Sequence, residues 1–208
     1  MKTTNKSSDK RRSSGYQPDE TRRLLVQSAL KLFEEKGYPS TSVDEIVEAA
    51  NLTKGAFYHH FGAKEEVLRL IHDDYVDAQL VECRRILSEV ESPIEQVHAL
   101  IRQSLRSVEE YRSHLTVYFQ DRRFLTGKRR DAVIAKRIEI DTVFERAIDN
   151  GVAQGVLRAD LSAKLVGFGV VGMCAWAYQW HRPGGKLTAD EIADQFSSMI
   201  LNGLAVHD

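Results

Sequence analysis

The sequence predicts an all-α protein, and three observations point there. Apolar residues recur at helical spacing over most of the 208 residues, and no run alternates apolar and polar as a half-buried strand does. Helix punctuation falls between the runs: Ser42 with Glu45 and Thr188 with Glu191 as capping boxes, Pro93 at a first helical position, and Gly37 at a helix end. Finally, Leu165 to Trp180 holds no charged residue, so it reads as a helix buried on all sides.

Residues 1–17 carry Lys2, Lys6, Lys10, Arg11 and Arg12 against Asp9 alone. A basic, Ser- and Thr-rich segment of this kind cannot bury a core and is expected to be disordered. It serves either as a solvated tail or as an arm adding phosphate or minor-groove contacts. Pro18-Asp19-Glu20-Thr21 opens the first helix, with Leu24, Leu25, Ala29, Leu32 and Phe33 on its apolar face. Arg22 and Arg23, near its start, either reach a phosphate or face water.

Thr41 and Ser42 are both good caps for the next helix, whose stripe is Val43, Ile46, Val47 and Ala50. Asn51 tolerates the left-handed turn that follows, Leu52 plugs it, and Thr53 caps a short helix from Lys54 to His60. Ala56, Phe57 and Phe61 form one face of that helix. The other presents Thr53, Lys54, Gly55, Tyr58 and His59, with no acidic residue anywhere in it. Such a face suits the DNA major groove, and Gly55 permits close approach to a phosphate or base edge.

A long helix runs from Ala63 to Ser88 and joins this region to the rest. The next begins at Ser92-Pro93 and runs through Val97, Leu100, Ile101, Leu105 and Val108 to about Arg112. A short helical run, His114 to Phe124, follows, then a helix from about Lys128 to Gly151 or a little beyond. Asp160 or Ser162 caps the charge-free helix, whose small residues Gly167, Gly169, Gly172, Ala175 and Ala177 allow close packing. The simplest reading puts one face of it in the core and the other against a second copy. The last helix has the stripe Ile192, Phe196, Met199, Ile200 and Leu204.

Thr53-Lys-Gly-Ala-Phe-Tyr-His-His-Phe-Gly-Ala-Lys-Glu-Glu-Val67 resembles the helix-turn-helix signature of the TetR family of transcriptional regulators. The match spans roughly residues 20 to 68. It implies a three-helix DNA-binding domain over 18–65 and a helical ligand-binding and dimerisation domain over 66–208. It also implies double-stranded operator DNA and a homodimer as partners. Thr41, Thr53, Lys54, Gly55, Tyr58, His59 and Lys64 are then the DNA-contacting set, with Thr41 and Lys64 on phosphates.

Trp176-Ala-Tyr-Gln-Trp-His-Arg-Pro-Gly-Gly185 and the following Leu187-Thr-Ala-Asp-Glu-Ile-Ala resemble the C-terminal half of TetR-like regulators of lipid and steroid catabolism, some of which acyl-CoA thioesters release from DNA. Tyr111, Leu115, Tyr118, Phe119, Phe144, Phe168, Met173 and Trp176 are the candidate pocket lining, although core packing competes for most of them. Arg122 and Arg123, with Lys128, Arg129 and Arg130 nearby, suit the phosphates of a CoA group or form a solvated basic surface. A sensor of neutral hydrophobic drugs is the alternative effector class. An architectural DNA binder without a ligand and a helical interaction protein that no longer binds DNA are the other two function classes.

The net charge of −1 does not oppose DNA binding, which needs only a local basic face. Cys83 and Cys174 lack metal-ligand spacing and read as buried, reduced thiols of a cytoplasmic protein. His59 and His60 are adjacent, so on a helix they diverge and make a poor metal pair. The N-terminus has no apolar core segment of a signal peptide, and no uninterrupted apolar run reaches membrane-spanning length. No nucleophile elbow or phosphate-cradling loop is present. No enzyme activity, cofactor, metal or membrane partner is therefore expected.

Overall fold

The computed structural model describes residues 18–204, without the side chain of Pro18. The expected basic tail, 1–17, lies outside the described residues. Nine α-helices and one 3-10 turn make up the described chain: α1 (Pro18–Lys36), α2 (Val43–Ala49), α3 (Lys54–His60), α4 (Lys64–Glu89), α5 (Pro93–Glu110), α6 (Arg112–Asp121), the 3-10 turn Arg122–Phe124, α7 (Gly127–Ala153), α8 (Ala163–Trp180) and α9 (Ala189–Leu204).

The helix ends follow their local chemistry. Ser42 caps α2: its hydroxyl accepts from Glu45 N–H, and the Glu45 carboxylate accepts from Ser42 N–H. Asn51 takes the left-handed conformation at φ 54°, and Gly37 ends α1 at φ 83°. Thr53 caps α3 by accepting from Ala56 N–H at 3.1 Å. Ser92, followed by Pro93, caps α5, and Ser162 rather than Asp160 caps α8. Thr188 and Glu191 close the capping box of α9.

Two buried clusters organise the packing. The first joins Leu25, Ala29 and Phe33 of α1 with Ile46, Phe57 and Phe61, and Val67, Leu68 and Ile71 from the start of α4 complete it. Val117 and Tyr118 of α6, Leu125 after the 3-10 turn and Val133 of α7 also belong to it, so this core draws on the C-terminal half. The second lies among α4, α5, α7, α8 and α9, around Leu100, Leu105, Ile140, Phe144 and Val170. Both clusters meet along α4. Cys83 and Cys174 are buried and free, with burial pushing each thiol up to about 12.

One face of α8 is not covered in the single chain. Leu165 is 69% exposed and Trp176 59%, with Phe168 and Trp180 also open. Around them, a Cβ added at Gly169 or Gly172 would meet nothing within 4 Å. Among the described residues, no helix is long and apolar enough to cross a membrane.

Candidate DNA-binding face and internal cavity

The short helix α3 owes its position to its apolar side. Phe57 and Phe61 are fully buried, with ring centroids 5.3 Å apart. That anchorage turns Lys54, Gly55, Tyr58 and His59 outward, and Tyr58 is 58% exposed although it is a large aromatic residue. Lys54 Nζ lies 2.7 Å from Asp44 of α2, an exposed ion pair that braces the two helices and raises the lysine above its usual value. A side chain at Gly55 would meet only Thr53 Oγ1, at an ordinary 3.7 Å. The fold therefore does not need glycine there, and alanine would favour the helix by about 1 kcal/mol.

Thr41 is not on this face. It is 1% exposed, and its hydroxyl donates to Gly37 O at 2.9 Å. The expected phosphate contact is corrected accordingly: Thr41 closes the α1–α2 turn from inside. Lys64 has a place in the same turn. Its Nζ donates to Tyr38 O at 2.6 Å and to Thr41 O, and sits 4.1 Å from the Tyr38 ring centroid. Burial lowers its pKa. An ammonium has three donors, so one is left for a phosphate.

The turn is also tied to the C-terminal half. Tyr38 N–H donates to Asp121 Oδ2 at 3.0 Å. Thr126 N–H donates to Glu65 Oε1 at 2.6 Å, and Arg129 pairs with Glu65 at 3.5 Å. The end of α6 and the start of α7 thus hold the start of α4 and the α1–α2 turn through polar contacts. Sequence spacing gave no sign of these pairs, which lie 61 to 83 residues apart.

The C-terminal half encloses a cavity of about 10 Å³ between α4, α5, α7 and α8. Its polar lining is Tyr75, Gln79, Ser104 and Arg137. None of the ten expected ligand residues lines it. Leu115 and Phe144 are fully buried in the packed core. Phe168 and Trp176 lie on the open face of α8, because the helix turns them away from α5 and α7. Met173 is half-buried. Tyr111 stands one ring away, its centroid 5.7 Å from that of Tyr75. Tyr118 and Phe119 form a separate aromatic group in which Phe119 stacks on Tyr178 at 4.7 Å. The Arg122 guanidinium lies 5.5 Å from the Tyr118 centroid and 5.8 Å from that of Phe119, and Arg123 lies 5.0 Å from Phe124. Arg129 and Arg130 have acidic partners, so Arg122, Arg123 and Lys128 are what remains of the expected basic cluster.

The cavity residues had a signal in the sequence. Ser104 interrupts the stripe Val97, Leu100, Ile101, Leu105, Val108, and Gln79 falls one turn after Tyr75 on the core side of α4. A polar residue at a core position marks either a satisfied internal bond or a site. The Trp-His-Arg-Pro-Gly-Gly segment has a structural part: His181 is buried with Nε2 2.6 Å from Glu109 Oε1, and its carbonyl accepts from Arg112 at 2.6 Å. Among the described residues, no group of three His, Cys, Asp or Glu side chains is placed to hold a metal ion.

Comparisons with known proteins agree with this arrangement. The chain matches the family profile "Bacterial regulatory proteins, tetR family" over residues 25–71 and "Tetracyclin repressor-like, C-terminal domain" over residues 90–204. It is 30% identical over 186 residues to the HTH-type transcriptional repressor KstR2 of Rhodococcus jostii, covering 87% of this chain and 89% of that protein. The structure of the ketosteroid transcriptional regulator KstR2 of Mycobacterium tuberculosis superposes with a TM-score of 0.79 at 25% identity, over 94% of this chain and all of that one. The crystal structure of AibR in complex with isovaleryl coenzyme A and operator DNA superposes with a TM-score of 0.76 at 27% identity, over 86% and 97% of the two chains.

Proposed function

Since the chain belongs to the TetR family of bacterial regulatory proteins, we propose that it is a cytoplasmic transcriptional repressor that binds a palindromic operator as a homodimer and leaves it on binding an acyl-CoA thioester. The observation that carries the DNA half of this reading is the outer face of α3. It is a rigidly anchored, acid-free face with an exposed tyrosine and a glycine the fold does not require. Thr53, Lys54, Gly55, Tyr58 and His59 face the major groove, while the third donor of Lys64 meets a phosphate. Phosphate contacts fix register, and base-edge contacts choose sequence.

The open face of α8, continued by the exposed Met199 of α9, supports the dimer. A two-fold axis through this face pairs α8 and α9 with their mates. The two α3 helices then reach successive major grooves, about 34–36 Å apart. For the effector, the support is the similarity to AibR, whose structure holds isovaleryl coenzyme A and operator DNA, together with the Arg122–Arg123 cations beside an aromatic group. An apolar tail with an anionic head asks for that combination. Binding releases DNA only if it favours a spacing of the two heads that the operator does not fit.

The test is a gel-shift titration of the operator complex with acyl-CoAs, free CoA, free acids and neutral hydrophobic drugs. Release by acyl-CoAs and not by free CoA is the expected result. Release by the neutral drugs alone would make the protein a drug-type sensor and end the acyl-CoA reading.

A further inference from the structure

Asp121 closes α6 and is 3% exposed. Nothing local asks for an acid there. The C-terminal end of a helix carries partial negative charge, so a carboxylate at that position is disfavoured. Its side chain does not cap the 3-10 turn that follows. Burial pushes its carboxyl above the usual range, so the charged form is costly to keep inside. The carboxylate instead reaches across to the DNA-binding head, where Oδ2 accepts from Tyr38 N–H at 3.0 Å, 83 residues away in sequence.

Tyr38 sits in the α1–α2 turn, where its carbonyl accepts from Lys64 Nζ at 2.6 Å and from Thr41 N–H at 3.3 Å. The aim of the ammonium's remaining donor is therefore set by where the Tyr38 and Thr41 carbonyls stand. Little inside the turn fixes that place. Gly37, just before Tyr38, is a pivot at φ 83°, and Pro39, just after it, has no N–H to bond. The Thr41 hydroxyl holds the far side of the turn through Gly37 O. Asp121 holds the near side. Two contacts from the chain just after it converge on the same place. The Phe124 ring packs against that of Tyr38 at 5.5 Å, and Thr126 N–H donates to Glu65, the neighbour of Lys64. Asp121 is also first among the anions that hold the half-buried ammonium charged against desolvation.

We infer that Asp121 is a positioning residue for DNA binding: by fixing the Tyr38 peptide from the C-terminal half, it sets the direction in which Lys64 presents its third donor to a phosphate. The inference rests on the reading of Lys64 as a phosphate contact and adds the group that aims it. Hydrogen bonds weaken steeply with misalignment, so an ammonium left to a loose turn keeps its charge and loses its contact. The counterion released by that contact is then lost with it.

The experiment measures, by fluorescence anisotropy, affinity for one duplex that the natural protein selects from a random pool, from about 50 to about 200 mM salt. Lys64→Met sets the scale, with a salt slope lower by about 1.8 per dimer. Asp121→Ala should lose at least about half of that, so that the affinity ratio of natural protein to variant shrinks about threefold or more across the range. Added to Lys64→Met, it should change affinity by less than about twofold, since nothing is left to aim. Asp121→Asn keeps an oxygen for Tyr38 N–H and should restore the slope to within about 0.3 of the natural one. Ser92→Ala, which removes the cap of α5 away from the turn, serves as the stability control and should keep the natural slope. Asp121→Ser, whose hydroxyl falls short of Tyr38 N–H, replaces Asp121→Ala should that chain not fold. Three results overturn the proposal and leave Asp121 a tie between the two halves: a natural slope in Asp121→Ala beside a lowered one in Lys64→Met, a full further loss in the double variant, or no rescue by Asp121→Asn. A slope lowered as far by Ser92→Ala overturns it too. An unchanged slope in Lys64→Met ends the phosphate reading, and the proposal with it.

Discussion

Lys64→Met separates two roles that one side chain fills. The natural ammonium donates to the carbonyls of Tyr38 and Thr41 and lies against the Tyr38 ring. Hydrogen bonds to a charged group contribute about 1.5–3 kcal/mol each when buried. Lys64 is only half-buried, so solvent competes for its ammonium. We therefore expect a loss of about 1–2 kcal/mol in urea denaturation, with a small part from the ring interaction. DNA binding should fall as well. Removing one phosphate-bound cation from each protomer reduces the salt slope by about 0.9, hence about 1.8 for a dimer. Between 50 and 200 mM salt, the affinity ratio of natural protein to variant should then shrink by about twelvefold. Unchanged stability would refute the turn-pinning role. A reduced stability with an unchanged salt slope would refute the phosphate interaction and leave Lys64 a purely structural residue.

Other substitutions test other parts. Gly172→Glu places a charge on the open face of α8, where a Cβ meets nothing in the single chain, so the protomer should fold while sedimentation shows monomers and operator binding disappears; a monomer retaining full operator affinity would contradict the dimer. Arg122→Ala or Arg123→Ala should weaken acyl-CoA release in the gel-shift titration and leave operator affinity intact; an unaltered response removes them from the effector site. His72 is buried against the Tyr118 ring with neither ring nitrogen hydrogen-bonded and Nδ1 3.9 Å from Asp73 Oδ1, and burial lowers its pKa against the opposing pull of Asp73. The unfolded chain then binds the proton first, so stability is full above about pH 6.5 and falls as the pH drops toward the folded value. His114, also lowered by burial, adds in the same direction. His72→Phe should flatten urea-denaturation midpoints between about pH 5 and 7 relative to the natural protein, and equal slopes would count against the assignment.

Much of the DNA-binding end was legible because its signals are local. Caps at Ser42 and Thr53, the left-handed Asn51 and the burial of Phe57 and Phe61 all depend on neighbours within a few positions. Thr41 is the exception, because the capping preference of Ser and Thr says nothing of which hydroxyl points inward; its partner Gly37 O is reached only when α1 and α2 fold together. The effector side was less legible for the same physical reason. Aromatic residues suggest a pocket by their chemistry, yet Phe144 packs solidly and Trp176 faces outward. Which side of an all-apolar helix turns inward is settled by its neighbours, and α8 has no polar stripe to announce it. Tyr38 and Asp121, 83 residues apart, meet only through tertiary packing.

That α4 belongs to both buried clusters has a thermodynamic consequence. Its first two turns give Val67, Leu68 and Ile71 to one core, and the next turns give Tyr75, Val76 and Leu80 to the other, within one uninterrupted helix. Neither core can melt without unwinding hydrogen bonds the other depends on. The two halves should therefore unfold in one cooperative transition, with protection from amide exchange rising together along α4. A fragment ending at residue 65 would lack the Val67–Ile71 and Val117 lid over Phe33 and Phe61, and should not hold a fixed structure. Autonomy of the DNA-binding head is thus denied by a helix that it shares.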